Sequence, residues 1–103
     1  MKIVNLTPHT VNLDGKEYPS EGIARVSMET RAIPVEGLPV PAVMQVPGEV
    51  IGLPAPAEGV VVIVSAMVAN AVMRVDVCHP AELIRDDGGR ILGAAALSFP
   101  AWK

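Results

Sequence analysis

Gly59-Val60-Val61-Val62-Ile63-Val64-Ser65-Ala66-Met67-Val68-Ala69-Asn70-Ala71-Val72-Met73-Arg74 is the stretch whose reading decides the fold. Its first half is an unbroken β-branched run that follows a Pro/Gly-rich approach; its second half is rich in Ala and Met and ends in Arg. A strand that is apolar at every position, not at alternate ones, has both faces covered. Residues 60–64 are therefore read as the central strand of a sheet, Ser65 as a sharp turn, and the following residues as a short helix. Such a turn leaves unpaired N–H groups at the start of the helix, where anions bind readily.

Working outward, Lys2 to Leu6 reads as a strand that Thr7-Pro8-His9-Thr10 breaks, because proline cannot continue an interior ladder. Val11-Asn12-Leu13 resumes it. Asp14-Gly15 is a two-residue hairpin signal, with Lys16-Glu17-Tyr18 returning antiparallel. Residues 23–28 alternate as a half-exposed strand does. From Glu29 to Glu58 six prolines forbid a long helix, leaving two short edge strands at 42–46 and 49–53, and a binding loop or a subunit contact as purposes for so long a segment. Val75 to Cys78 is expected to be a short strand stopped by His79-Pro80. Asp86-Asp87-Gly88-Gly89, flanked by 81–85 and 90–95, signals a second hairpin. The expected fold is thus α/β: a small mixed β-sheet with a central strand–helix unit, two β-hairpins and proline-rich loops, in a single domain spanning 1–103.

Composition narrows the function classes. The net charge of −3 argues against a phosphate-backbone binder, and one Phe, one Tyr and one Trp provide no base-stacking platform, so no nucleic-acid polymer is expected as partner. The single cysteine excludes an intrachain disulfide and fits a reducing compartment. No signal-like opening or membrane-length apolar run is present, so the expected location is cytoplasmic, with no membrane partner. An apolar helix and an aromatic tail, Phe99-Pro100-Ala101-Trp102, exceed what one small sheet can cover, which points to a homo-oligomer.

Five constellations can carry chemistry, each with a bland reading beside the functional one. Asn5, Thr7 and His9 follow a strand, where ligands of open α/β sheets sit, but Asn and Thr also cap turns on their own backbone. Ser65 with the amides of Ala66 and Met67 can hold an anion, or Ser65 can be a plain helix N-cap. The glycines of a nucleophile elbow are missing around it, where Ile63 and Met67 stand instead. Asn70 and Arg74 share a helical stripe with Ala66; Arg74 complements the helix C-terminus, or else pairs with Asp76 or a phosphate. Asp76, Cys78 and His79 fall short of a zinc ligand set, so no metal and no cofactor is expected and Cys78 is read as a small buried hydrophobe. Arg85 belongs to a charged turn that is read as solvated, and is the second arginine able to neutralise an anion.

Together with Ile63-Val64-Ser65-Ala66, Asp76 to Pro80, Arg85-Asp86 and Gly89-Arg90, the opening Asn5-Leu6-Thr7-Pro8-His9 resembles a family of small, poorly characterised proteins of phages, prophages and bacteria. The resemblance spans most of the chain except residues 29–58. It implies no settled catalytic residues; by analogy of size and context, small phage proteins include sponges that sequester host immune nucleotide signals, which suggests an anti-defence role by sequestration in the host cytoplasm. The expected function is non-catalytic binding of a small phosphate-bearing or nucleotide-like ligand through Asn5, Thr7, His9, Ser65, Ala66, Met67, Asn70, Arg74, His79 and Arg85. The alternatives are a small hydrolase or nucleotide-processing enzyme using His9 or His79 as base, and a structural or interaction protein of a phage-type complex.

Overall fold

The computed structural model describes residues 1–102. Nine elements follow one another: β1 (Lys2–Asn5), β2 (Val11–Leu13), β3 (Lys16–Tyr18), β4 (Arg25–Ile33), β5 (Ala42–Ile51), β6 (Val60–Ile63), α1 (Ala66–Val72), β7 (Val77–Arg85) and β8 (Ile91–Ser98). The fold is a mixed sheet with one short helix. It is largely β, so the α/β expectation holds only loosely, through the β6–α1–β7 unit.

Six strands form one sheet in the order β1-β6-β7-β8-β2-β3. β6 stands between β1 and β7 and is parallel to both, with Asn5 opposite Ile63 and Ile63 opposite Cys78. The alternation of a strand then sorts its side chains. Val62 and Val64 join Leu6, Ala24, Val68, Ala69 and Val77 in the core on the helix side. Ile63 and Cys78 point to the opposite face and are also fully buried. The far face is closed because the sheet curls until its two edge strands approach: Asn5 Nδ2 donates to the Tyr18 carbonyl at 2.8 Å, joining β1 to β3.

Ser65 ends β6 in an extended conformation and caps α1 by accepting from Val68 N–H at 3.3 Å. The helix stops at Met73, whose left-handed backbone returns its N–H to Ala69 O. Asp14 and Gly15 both have positive φ, as a two-residue hairpin turn matched to strand twist requires, and they join β2 to β3.

Two expectations are corrected. Pro47 does not separate two short strands: β5 runs from Ala42 to Ile51 as one strand, paired only with an equally extended β4. Nor does Pro80 stop β7, which continues to Arg85. In both cases proline lies where a donor can be spared. β5 belongs to a two-stranded ribbon with a free outer edge, and beyond Cys78 strand β7 has left β6 and pairs with β8 alone.

The β4–β5 ribbon gives the molecule its shape. Val26, Val50 and Leu53 pack against the core at its base. There Gly52, at φ +87°, brings its backbone so close to Ile23 that an added Cβ would sit 2.5 Å from the Ile23 carbonyl oxygen. Farther out, Met28, Val35, Leu38, Val40, Val43 and Met44 are exposed. The radius of gyration is 16.9 Å, against about 13 Å for a compact domain of this length. A second projection is formed by the β7–β8 hairpin, whose Leu83, Ile84, Ile91 and Leu92 are exposed as well.

If β6 is held on both faces, shortening its far-face side chain must open a cavity. Ile63→Ala is expected to cost about 2–5 kcal/mol of unfolding free energy, read by urea denaturation. A loss below about 0.5 kcal/mol, the low end for removing a single buried methyl group, contradicts this packing.

Candidate functional site

The ends of the three parallel strands bring most of the expected residues to one edge. Asn5, Ile63 and Cys78 share a level in the register, so the segments that follow them (6–9, 64–65 and 79) are neighbours. Two backbone bonds lock this level: Leu6 N donates to Ile63 O at 2.8 Å and Val64 N to Cys78 O at 2.9 Å.

Asn5 is fully buried, and its amide is used within the chain. Nδ2 donates to the carbonyls of His9, at 2.7 Å, and Tyr18. Oδ1 accepts from the Thr7 backbone N–H at 2.9 Å and lies 2.7 Å from Thr7 Oγ1. An amide side chain has two donor protons and a two-lone-pair acceptor, so these contacts saturate it. Thr7 Oγ1 also lies 2.9 Å from the His9 carbonyl oxygen. Ser20 Oγ donates to Thr7 O at 2.6 Å. The Asn-Leu-Thr-Pro-His segment is therefore a turn held from inside, with the His9 ring exposed beside it.

Across the edge, Ser65, Ala66 and Met67 are exposed at the start of the helix. Asn70 turns back on its own helix, donating to Ala66 O at 2.8 Å. His79 is half-buried, with Nδ1 3.1 Å from Pro80 O. Arg74 is engaged elsewhere: Nε and Nη2 grip Asp76 in a two-pronged pair at 3.0 and 2.6 Å, and Nη1 donates to Pro54 O at 2.9 Å. Of the alternatives for Arg74, the Asp76 partnership is the one present. Arg85 stands six residues beyond His79 along the strand, about 20 Å away, where Nη1 holds the Gly89 carbonyl of the hairpin turn. The edge thus assembles Thr7, His9, Ser65, Ala66, Met67 and His79, with Asn5 beneath it as a scaffold and both arginines committed to other partners.

The cavity of note lies elsewhere. A shallow, mainly apolar hollow of about 170 Å³ runs along Leu13, Asp14 and Ala94 to Leu97, between β2 and β8. Cys78 is no nucleophile: burial first, and the nearby Asp76 charge second, push its thiol up to about 12. Among the described residues, no three His, Cys, Asp or Glu side chains gather as metal ligands, and no helix is long and apolar enough to cross a membrane. Comparison with protein-family models, curated proteins and solved structures finds no match.

Of the two readings of Asn5 and Thr7, the turn capped on its own backbone is the one present. The bond from Asn5 to the Tyr18 carbonyl carried no signal in the sequence.

Two outcomes follow. Asn5→Ala leaves the carbonyls of His9 and Tyr18 and the Thr7 N–H without their partner, so it is expected to lower stability by at least about 2 kcal/mol and to loosen β1 from β3. Amide hydrogen exchange at Tyr18 and its neighbours reads the second effect. The Arg74 hydrogen bonds and charge hold the Asp76 carboxyl below the ordinary value of 3.8 despite its partial burial. Its stabilising contribution is then complete above that value and is lost as pH falls through the lower folded one. Asp76→Asn should lower the melting temperature at neutral pH, and this deficit should shrink below about pH 4.

Proposed function

We infer that the protein is a non-catalytic interaction protein that works as a homo-oligomer, the setting being a small phage-type or bacterial complex. The observation that carries this reading is the β4–β5 ribbon. It projects from the body with apolar side chains exposed on both faces and with two unpaired strand edges. A soluble monomer seldom leaves long apolar edges open, because they template pairing with other chains. The exposed Leu83, Ile84, Ile91 and Leu92 of the β7–β8 hairpin support the same reading, as does Trp102, which is 73% exposed and meets Phe99 edge-to-face. A thin aliphatic core in a chain of 103 residues adds to it, since small domains bury too little surface to be generously stable alone.

A second reading has its own support: non-catalytic capture of a small phosphate-bearing or nucleotide-like ligand at the edge formed by Thr7, His9, Ser65 and His79. What favours it is the convergence of three parallel strand ends, the place where open sheets with helical crossovers take ligands. The weight against it is local. The helix is seven residues long, Asn5 is saturated, and Arg74 is paired.

Native mass spectrometry of the protein purified from cells separates the two. A mass at a multiple of the chain without added ligand is expected. Monomer with a retained small molecule, together with thermal stabilisation by nucleotides that His9→Ala abolishes, would replace the first reading by the second.

A further inference from the structure

Resting on the self-association reading, we propose that two copies of this chain join through the outer edges of β4, antiparallel and two-fold, centred on Thr30. The two ribbons then form one four-stranded sheet in the order β5-β4-β4-β5.

The choice of edge follows from what each edge strand presents. β3 is three residues long and carries Lys16 and Glu17, and β1 has four residues, with its last carbonyl already accepting from Glu21 N–H at 2.8 Å. Pro47 removes a donor from the middle of β5. β4 has nine residues, Arg25–Ile33, without Pro or Gly, and its pairing is with β5 alone. Beyond the irregularity between Val26 and Met28 it offers six consecutive residues, Met28–Ile33, as a regular ladder edge.

The register follows from charge. A two-fold antiparallel pair keeps facing side chains on one face only when it is centred on a residue, because alternation has a period of two. Centring on Met28 sets Arg25 against Arg31. Centring on Glu29 or Arg31 sets that residue against itself. Centring on Thr30 sets Glu29 opposite the partner's Arg31, and Arg31 opposite the partner's Glu29. Met28 then faces Ala32, Ser27 faces Ile33, and Thr30 faces its own copy. Opposite charges directly across a ladder attract and like charges repel. Centring on Ser27 also gives opposite charges, Arg25 against Glu29. That register falls on the irregularity between Val26 and Met28, where Ser27 Oγ is already bonded to Glu49 N–H at 2.9 Å, and next to the ribbon base packed on the core. The Thr30 register uses the regular, outlying part of the strand. Glu29 and Arg31 are both exposed, and no ion pair engages either one among the described residues.

Sedimentation velocity on the full chain tests this with charge variants, all at exposed positions. Wild type is expected to be a dimer. Glu29→Arg and Arg31→Glu, each creating two like-charge oppositions, are expected to weaken it at least about tenfold. The double exchange should restore it, and mixing the two single variants should give the heterodimer. Arg25→Glu should leave it unchanged. Circular dichroism melting of each variant confirms that the fold is retained. A dimer indifferent to both single variants overturns this interface while leaving self-association standing. Disruption by Arg25→Glu in place of Arg31→Glu overturns the register. A monomeric wild type at every concentration reached overturns both this proposal and the reading beneath it.

Discussion

A single buried amide holds the architecture together. Asn5 sits at the last position of β1, wholly removed from solvent, and its side chain binds two separate pieces of chain: its own following turn through Thr7 and His9, and the end of β3 through Tyr18. In a low-dielectric interior such a group is costly unless every donor and acceptor is met, and worth more than its parts when it is. The rest of the sheet needs that closure. Along the route from β1 through β6, β7 and β8, the step to β2 rests on a single bridge, Leu13 to Ala94, helped by Asp14 N–H on Ala94 O at 3.3 Å. A curl held so lightly on one side requires a firm tie on the other, and Asn5 is placed to supply it.

The closure also explains why β6 is apolar throughout. One face of β6 meets the helix through Val62 and Val64; its other face, with Ile63 beside Cys78, looks into the concave side that the curl encloses. The thiol belongs there as a small hydrophobe, kept protonated by that burial. The same strand ends that are brought level by the parallel pairing expose His9 and Ser65 and leave Thr7 half-buried between them, so the polar edge is a by-product of the core geometry.

Much of this architecture was legible in the residues. The Asp14-Gly15 turn, the β-branched run into a serine-capped helix, and the Asp86 to Gly89 hairpin are local signals with local causes, and each stands where it was expected. What local signals do not carry is which strand edges stay free. Pro47 and Pro80 read as terminators because an interior ladder would reject them; both lie on strands with an unpaired side, a fact of topology and not of neighbouring sequence. Asn5 was legible in part: its capping of the following turn is one of the two readings that the residues allow, but its tie to β3 depends on that strand returning across thirteen residues to offer a carbonyl. Arg74 and Asp76 are two apart, and their pairing depends on the helix ending at Met73 so that the chain reverses between them.

The ribbon is the part that the core does not explain. β4 and β5 together span more residues than any other pair of neighbouring strands, yet only their base touches the core, so the chain spends a large share of its length on structure that adds little to monomer stability. Ordering backbone costs roughly 1–2 kcal/mol per residue, and a two-stranded hairpin standing alone in water is marginal. A ribbon whose outer part keeps methionine, valine and leucine in solvent can recover that cost only by burying them. Pairing of β4 edges completes the backbone hydrogen bonds that β4 leaves open and covers part of the apolar surface beside the seam, that of Met28. The same reasoning applies in weaker form to the β7–β8 hairpin, whose inner half is braced by the sheet and whose outer half is not. Exposed ladder and exposed apolar surface coincide on both projections, and that coincidence, more than the polar edge between them, supports the proposal that this molecule acts through contact with other chains.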